Sequence, residues 1–297
     1  MRITLRGFSC AVLLAGMLCS CQKELAQVEQ PETEINMVAA EFSAVTEAGM
    51  PTRMTLGEGL KPAWEAGDKL AVWDGSLVTA FSVKKAEGSF AKFDGQVAEG
   101  SDEYYALFPH TEGITFDAEA KAFKTVIPSE QIISQGDSVC ASALMGMAYA
   151  PKPAEGQAQF AFRNVCGLIK VDVPESGKIA SIVISSNGEE TFVGEGTVSL
   201  QEKTEGQLTQ RIPVFAPAEG AGKTVILRPE GENATFEKGS YYAVVAPVEF
   251  QTGFSINMVR TDGAAGKIST DQPMKVVRNG GTNLKDIVAV SDWSLEI

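Results

Sequence analysis

Apolar residues along this chain come in short runs, each cut off by a turn dipeptide or a proline. Met37–Thr46 reads as a first strand, and Gly49, Pro51 and Gly57 mark a loop after it. Lys69–Trp73 is stopped by Asp74-Gly75, a hairpin dipeptide, and a strand at 79–83 follows. The run 89–93 is expected to end at Asp94-Gly95, Glu103–Phe108 at Pro109 and Ala122–Ile127 at Pro128. The strongest β-signal spans 160–173. Phe160 and Phe162 share one parity and Val165, Ile169, Val171 and Val173 the other, which predicts a bulge near Asn164.

Pro174-Glu175-Ser176-Gly177 then punctuates the chain, and the same style resumes at 181–184, 196–200, 224–227, 241–245, 254–259 and 286–290. Only the segment 138–149 offers a helical period, and a short one. Short strands at regular spacing predict an all-β protein built as two antiparallel β-sandwich domains, 37–174 and 175–297.

The first twenty residues break this pattern. Arg2 and Arg6 precede the apolar run from Phe8 to Leu18, which is too short to span a bilayer. Leu18-Cys19-Ser20-Cys21 then resembles a lipobox: an apolar residue, two small ones, and the cysteine whose thiol takes a diacylglyceryl group. Residues 1–20 are therefore expected to be a lipoprotein signal peptide and Cys21 the lipid-bearing first residue, held by its acyl chains on a membrane it does not cross. Residues 21–36, rich in glutamate and glutamine, form a polar tether. Its opening Gln22-Lys23-Glu24 resembles an outer-face sorting tag.

Removing the signal peptide takes away two arginines and no acid, so the formal charge of −13 becomes −15. With no basic run, nucleic acid is excluded as a partner. Cys140 and Cys166 survive processing into an oxidising compartment, free either to pair as a disulfide or to stay as two buried thiols.

Candidate chemistry is sparse. His110 is the one histidine, beside Pro109, and reads as a loop residue; it cannot supply a zinc site alone. Gly220-Ala221-Gly222-Lys223-Thr224 resembles a phosphate-binding loop but has Pro217 where that motif needs glycine, and a strand follows it. Glu189-Glu190 and Asp102-Glu103 are adjacent carboxylates, which point to opposite faces of a strand. Asp137-Ser138-Val139 resembles an O-glycosylation acceptor, and reads equally well as a polar loop or helix cap. Trp64, Trp73 and Trp293 with Tyr104, Tyr105, Tyr241 and Tyr242 are candidates for a glycan-stacking platform, though core packing suits their strand positions better. Nothing calls for a cofactor, a metal or a catalytic group.

The order of these features resembles the fimbrillin family, lipoprotein pilins of Gram-negative anaerobes. The resemblance rests on Cys21 and its tether, the strand 37–46, Thr52-Arg53, and Trp64-Glu65-Ala66-Gly67-Asp68 leading into Lys69–Trp73. It continues through Tyr104-Tyr105-Ala106-Leu107-Phe108-Pro109, the run from Phe162 to Lys170, and Ser291-Asp292-Trp293. It implies two tandem transthyretin-like sandwiches and a non-enzymatic structural or adhesive pilus subunit, lipid-anchored at the outer membrane. Its partners would be other fimbrial subunits and host or microbial surface glycans or proteins. It also implies proteolysis after Arg53, which removes the lipid and the strand 37–46, and filling of the vacated groove by a C-terminal strand such as 286–293 of another subunit. An anchor subunit would instead keep its lipid. A stand-alone glycan-binding lipoprotein is the alternative.

Overall fold

In the computed structural model the described residues are 35–47, 63–155, 157–283 and 294–295. They are built almost wholly of strands. In the first part of the chain these are β1 (Met37–Thr46), β2 (Lys69–Trp73), β3 (Val78–Glu87), β4 (Phe90–Ala98), β5 (Glu103–Phe108), β6 (Thr115–Asp117), β7 (Ala122–Ile127), β8 (Glu130–Ile133), β9 (Gly146–Pro151) and β10 (Gln159–Asn164). Seven of them close into a barrel in the order β1-β10-β9-β5-β2-β3-β4, with β4 returning to β1.

Hairpin chemistry opens the barrel. Asp74, buried after β2, accepts the amides of Ser76 (2.9 Å) and Leu77 (3.0 Å) on Oδ1 and that of Ala98 (2.6 Å) on Oδ2. Gly75 takes the left-handed conformation (φ +98°) that the turn requires. Asp94-Gly95 behaves otherwise, since β4 runs straight through it. Glycine stands there because the Phe81 ring lies against the backbone, and a Cβ on Gly95 would sit 2.7 Å from the ring. A dipeptide that signals a turn by composition is here a place where a ring needs room.

Alternate residues of the barrel strands fill its interior with Phe42, Phe81, Phe93, Tyr104, Phe160 and Phe162 among others, and Trp64, ahead of β2, packs with them. The outer faces of β2, β5 and β9 carry Trp73, Tyr105, Leu107 and Met147 into a second, larger core. Burial on both faces explains why Leu70–Trp73 and Tyr104–Phe108 are almost unbroken apolar runs.

The later strands are β11 (Gly167–Val173), β12 (Ile179–Ser186), β13 (Gly194–Glu205), β14 (Leu208–Pro217), β15 (Thr224–Pro229), β16 (Gly239–Val245), β17 (Val248–Phe250), β18 (Phe254–Arg260), β19 (Ala264–Thr270), β20 (Met274–Val276), β21 (Gly281–Asn283) and β22 (Ser294–Leu295). They form sheets β22-β19-β18-β12-β15-β8, β14-β13-β7-β6, β16-β11-β21 and β17-β20. Thus β7 and β8, which precede Pro174, pair with β13 and β15, which follow it, and β6 joins the same sheet through β7.

Two local expectations are corrected. The segment 138–149 is no helix: it holds one 3-10 turn, Ala141–Ala143, and then enters β9. The parity change at Asn164 is not a bulge but a hand-off. The barrel strand β10 ends there, and Val165-Cys166 leads into β11, which pairs with β16 in another sheet.

Replacing Gly95 with alanine is expected to push the Phe81 ring off its seat and to destabilise the protein by about 1–3 kcal/mol. Urea unfolding of G95A measures this, and an unchanged midpoint would mean the ring can move aside.

Candidate functional site

The strand that the resemblance marks for removal, β1, is an interior strand. Met37 to Val45 pair antiparallel with Ala98 to Phe90 of β4, while Ser43 to Thr46 pair parallel with Gln159 to Phe162 of β10. Backbone bonds extend both ladders: Glu99 N–H donates to Asn36 O (2.8 Å), Ser43 N–H to Ala158 O (3.2 Å) and Glu47 N–H to Phe162 O (2.9 Å). Taking β1 out would expose an edge on each side.

Its even-numbered side chains face the barrel interior. Phe42 and Ala44 are buried there, and Phe42 stacks on Phe81 (4.8 Å between ring centres) and meets Tyr104 (4.9 Å) and Phe160 (5.1 Å). Burying such a ring is worth about 1.5–3 kcal/mol. Trp64 packs edge-on against Phe93, Phe108 and Phe162, and its indole N–H donates to Ser89 O (3.2 Å).

Two carboxylates on the other face hold β1 in place. Glu41 takes Lys84 Nζ at 2.5 Å, Lys92 Nζ at 3.1 Å and the Gln157 side-chain amide at 2.6 Å. The bond from Lys84, followed by those from Gln157 and Lys92, brings its carboxyl down from 4.5 to about 2. Glu47, just past β1, accepts Arg163 Nη1 at 3.2 Å and both terminal nitrogens of Arg278, at 2.5 Å and 3.1 Å. It also accepts the Asn164 amide (3.2 Å), while Arg278 donates to Asn164 O (2.9 Å) and the Asn164 side chain to that of Asn279 (2.7 Å). The fork geometry of Arg278 makes this the stronger of the two attachments.

The run from Phe162 to Lys170 is explained by this junction. Phe162 fills the barrel, Arg163 and Asn164 hold Glu47 and Asn279, and Val165 and Cys166 are fully buried. Gly167 leaves room for a close crossing, because a Cβ there would lie 2.5 Å from Val276 Cγ1 and Val277 O. The partnership of Glu47 with Arg278, 231 positions away, leaves no local signal in the sequence.

Cys21, Arg53 and Trp293 lie outside the described residues. Cys140 and Cys166 are two buried free thiols; Cys140 Sγ sits 3.2 Å from Ser142 Oγ, and burial pushes the Cys166 thiol up to about 12. His110 and Cys140 border a cleft of about 480 Å3 with Asp68, Asp137 and Ser142. No group of three metal-ligating side chains occurs among the described residues. Ser138 is 2% exposed, so its hydroxyl is closed to a glycosyltransferase in the folded chain.

The adjacent carboxylates have separate partners: Asp102 with Lys152, Glu103 with Lys121, Glu189 with Lys223, and Glu190 with the Gln251 amide. Trp64, Trp73, Tyr104, Tyr105 and Tyr241 are core residues, which removes most of the imagined stacking platform. Gly220 and Gly222 connect β14 to β15 as a turn, with Gly222 bridged to Val193.

Because the folded Glu41 carboxyl ionises at about 2 rather than 4.5, its ion pairs stabilise the protein above about pH 4.5 and are lost as pH falls from there through about 2. The difference in urea midpoint between the wild type and E41Q should therefore be constant above pH 5 and shrink towards zero by pH 2. A difference that does not change with pH would show that Glu41 acts through packing alone.

No protein-family model matches the chain, and no curated protein sequence matches it. Similar solved structures include a provisionally assigned cell adhesion protein from Bacteroides ovatus, at 11% identity and TM-score 0.42 over 81% of this chain and 89% of that one. Others are a fimbrial protein from Bacteroides ovatus (12% identity, TM-score 0.38, 84% of this chain and 48% of that one) and the tip fimbrial protein Mfa3 from Porphyromonas gingivalis (7%, 0.35, 82% and 92%). This chain thus spans about half the length of that Bacteroides fimbrial protein. The chain is thus similar to fimbrial and adhesion proteins of known structure.

Proposed function

We propose that this chain is a cell-surface fimbrial subunit, structural or adhesive rather than catalytic, which assembles by strand addition. The observation that carries this reading is β1: a strand at the start of the fold, paired on both flanks, filling the barrel with Phe42 and Ala44. The chain reaches Arg53 a few residues beyond its end. A cut after Arg53 would leave β1 attached to the barrel by non-covalent contacts only. Its departure would open a slot about 30 Å long, lined on both sides by backbone donors and acceptors that an added strand satisfies.

In this reading residues 1–20 export the chain and Cys21 carries the lipid that holds it at the outer membrane until Arg53 is cut. The fold is then two transthyretin-like sandwiches, 37–174 and 175–297, with β7 and β8 reaching across to strands of the second. Other fimbrial subunits are the partners.

Mass measurement of the protein from assembled fibres tests the reading. The expected chain begins at Met54, and Arg53→Ala should keep the lipidated Cys21 and assemble poorly. Fibres built from chains that still begin at Cys21 would sink the strand-addition mechanism.

A further inference from the structure

The cleft that His110 and Cys140 border runs on into a second one. The first is about 480 Å3 and the second about 680 Å3. They share Ser142, and the chain passes from His110 in the one to Thr111 in the other. The corner from β7 to β8 lies along both: Val126 and Pro128 line the second cleft and Ile132 the first. Val126 is 51% exposed and Ile132 44%, so the fold leaves an apolar side chain uncovered in each cleft. No residue of β1, β4 or β10 lines either.

Charge and backbone decide what such a groove takes. Its carboxylates are Glu65, Asp68, Glu112, Asp137 and Glu195, set against Lys69 and Lys124, so it repels an anion and draws in a cation. Asp68 is 3% exposed and held by the Glu65 N–H (2.8 Å), which makes it a fixed acceptor. The one phenylalanine, tyrosine or tryptophan along the groove is Phe108, buried and edge-on to Trp64, so no such ring stands free to stack a sugar. β8 is the last strand of its sheet. Ile226 N–H donates to Ser129 O (2.7 Å) and Glu230 N–H to Ile133 O (2.9 Å), which puts the backbone groups of the odd-numbered residues on the β15 side. Those of Glu130 and Ile132 face the other way, where no strand pairs with β8 among the described residues. A main chain laid beside Ile132 finds a donor and an acceptor there.

We propose that this groove binds an extended, basic peptide segment of another protein. The main chain of the segment lies beside Ile132, and a lysine or arginine side chain enters among Glu65, Asp68 and Asp137. An apolar side chain rests on Ile114 and Val126 in the second cleft. The site gives a surface subunit an adhesive contact of stated chemistry. It is independent of strand addition, because β1 has no part in it and the uncut chain already carries it.

The test uses the uncut full chain and labelled hexapeptides of serine and glycine, with one lysine and one isoleucine placed at every pair of positions, read by fluorescence anisotropy. Peptides of one spacing should bind, and glutamate in place of their lysine should weaken binding about tenfold or more. Glu65→Gln combined with Asp137→Asn should weaken the lysine peptide about tenfold as well, and Val126→Ser about threefold or more. All three positions are exposed, so urea midpoints should stay near that of the wild type. No binding of any hexapeptide, or equal binding of the lysine and glutamate forms by the wild type, overturns the proposal. So does a lysine peptide whose binding neither variant weakens, because it then sits elsewhere. Loss in the acid variant without loss in Val126→Ser overturns the joined groove. Binding of an oligosaccharide panel in place of the hexapeptides overturns the peptide assignment. None of these outcomes touches strand addition, which the mass of chains from assembled fibres tests separately.

Discussion

The barrel depends on one constraint: β4 and β10 meet only through β1. Without that strand the other six would form an open sheet with two unpaired edges, and Phe81, Tyr104 and Phe160 would lose the ring packed among them. Closure therefore rests on ten residues at the start of the fold. Their attachment is sheet hydrogen bonding, two core side chains and two carboxylates, none of which needs the rest of the chain to be covalently continuous with them.

The two carboxylates differ in kind. Glu41 meets two lysines at the surface, where compact, strongly hydrated charges on flexible stems give an adaptable contact. Glu47 meets a guanidinium fork that is itself fixed by Asn164, beside the crossing of Gly167 over Val276 and Val277. The end of β1 is therefore joined to the packing of β11, β20 and the segment that carries Arg278 and Asn279. The polar groups of that junction share partners through Asn164 and lie close in sequence to the fully buried Cys166.

Much of the strand pattern was legible because burial on one or both faces writes itself into period two. Lys69–Trp73, Glu103–Phe108 and Ala122–Ile127 are strands over the ranges read from sequence. Other elements were hidden for physical reasons. β14 carries Pro213 and Pro217, which break strand signals but are tolerated on an edge, and β14 is the edge of its sheet. Asp94-Gly95 looks like a turn, yet its glycine serves the Phe81 ring. The run 138–149 mimics a helix because small residues feed a strand buried along nearly its whole length. Of the candidate site, β1 was readable as a strand, while its anchors Lys84, Lys92, Arg163 and Arg278 were not. Ion pairs across a fold have no period.

Two anchors do what either alone does not. Backbone bonding in a β-slot is nearly blind to sequence, so a strand can enter in several registers. A slip of one residue turns the core face outwards and is rejected by burial. A slip of two that keeps the faces and puts Phe42 where Ala44 sits offers Ala39 to Lys84 and Lys92 in place of Glu41. The size difference between Phe42 and Ala44 and the spacing between Glu41 and Glu47 thus act on the same error from opposite faces of the strand. A segment that reproduces only the apolar face would bind in a mixture of even-numbered slips; one that also carries acids at both ends has a single register in which all four side chains are satisfied.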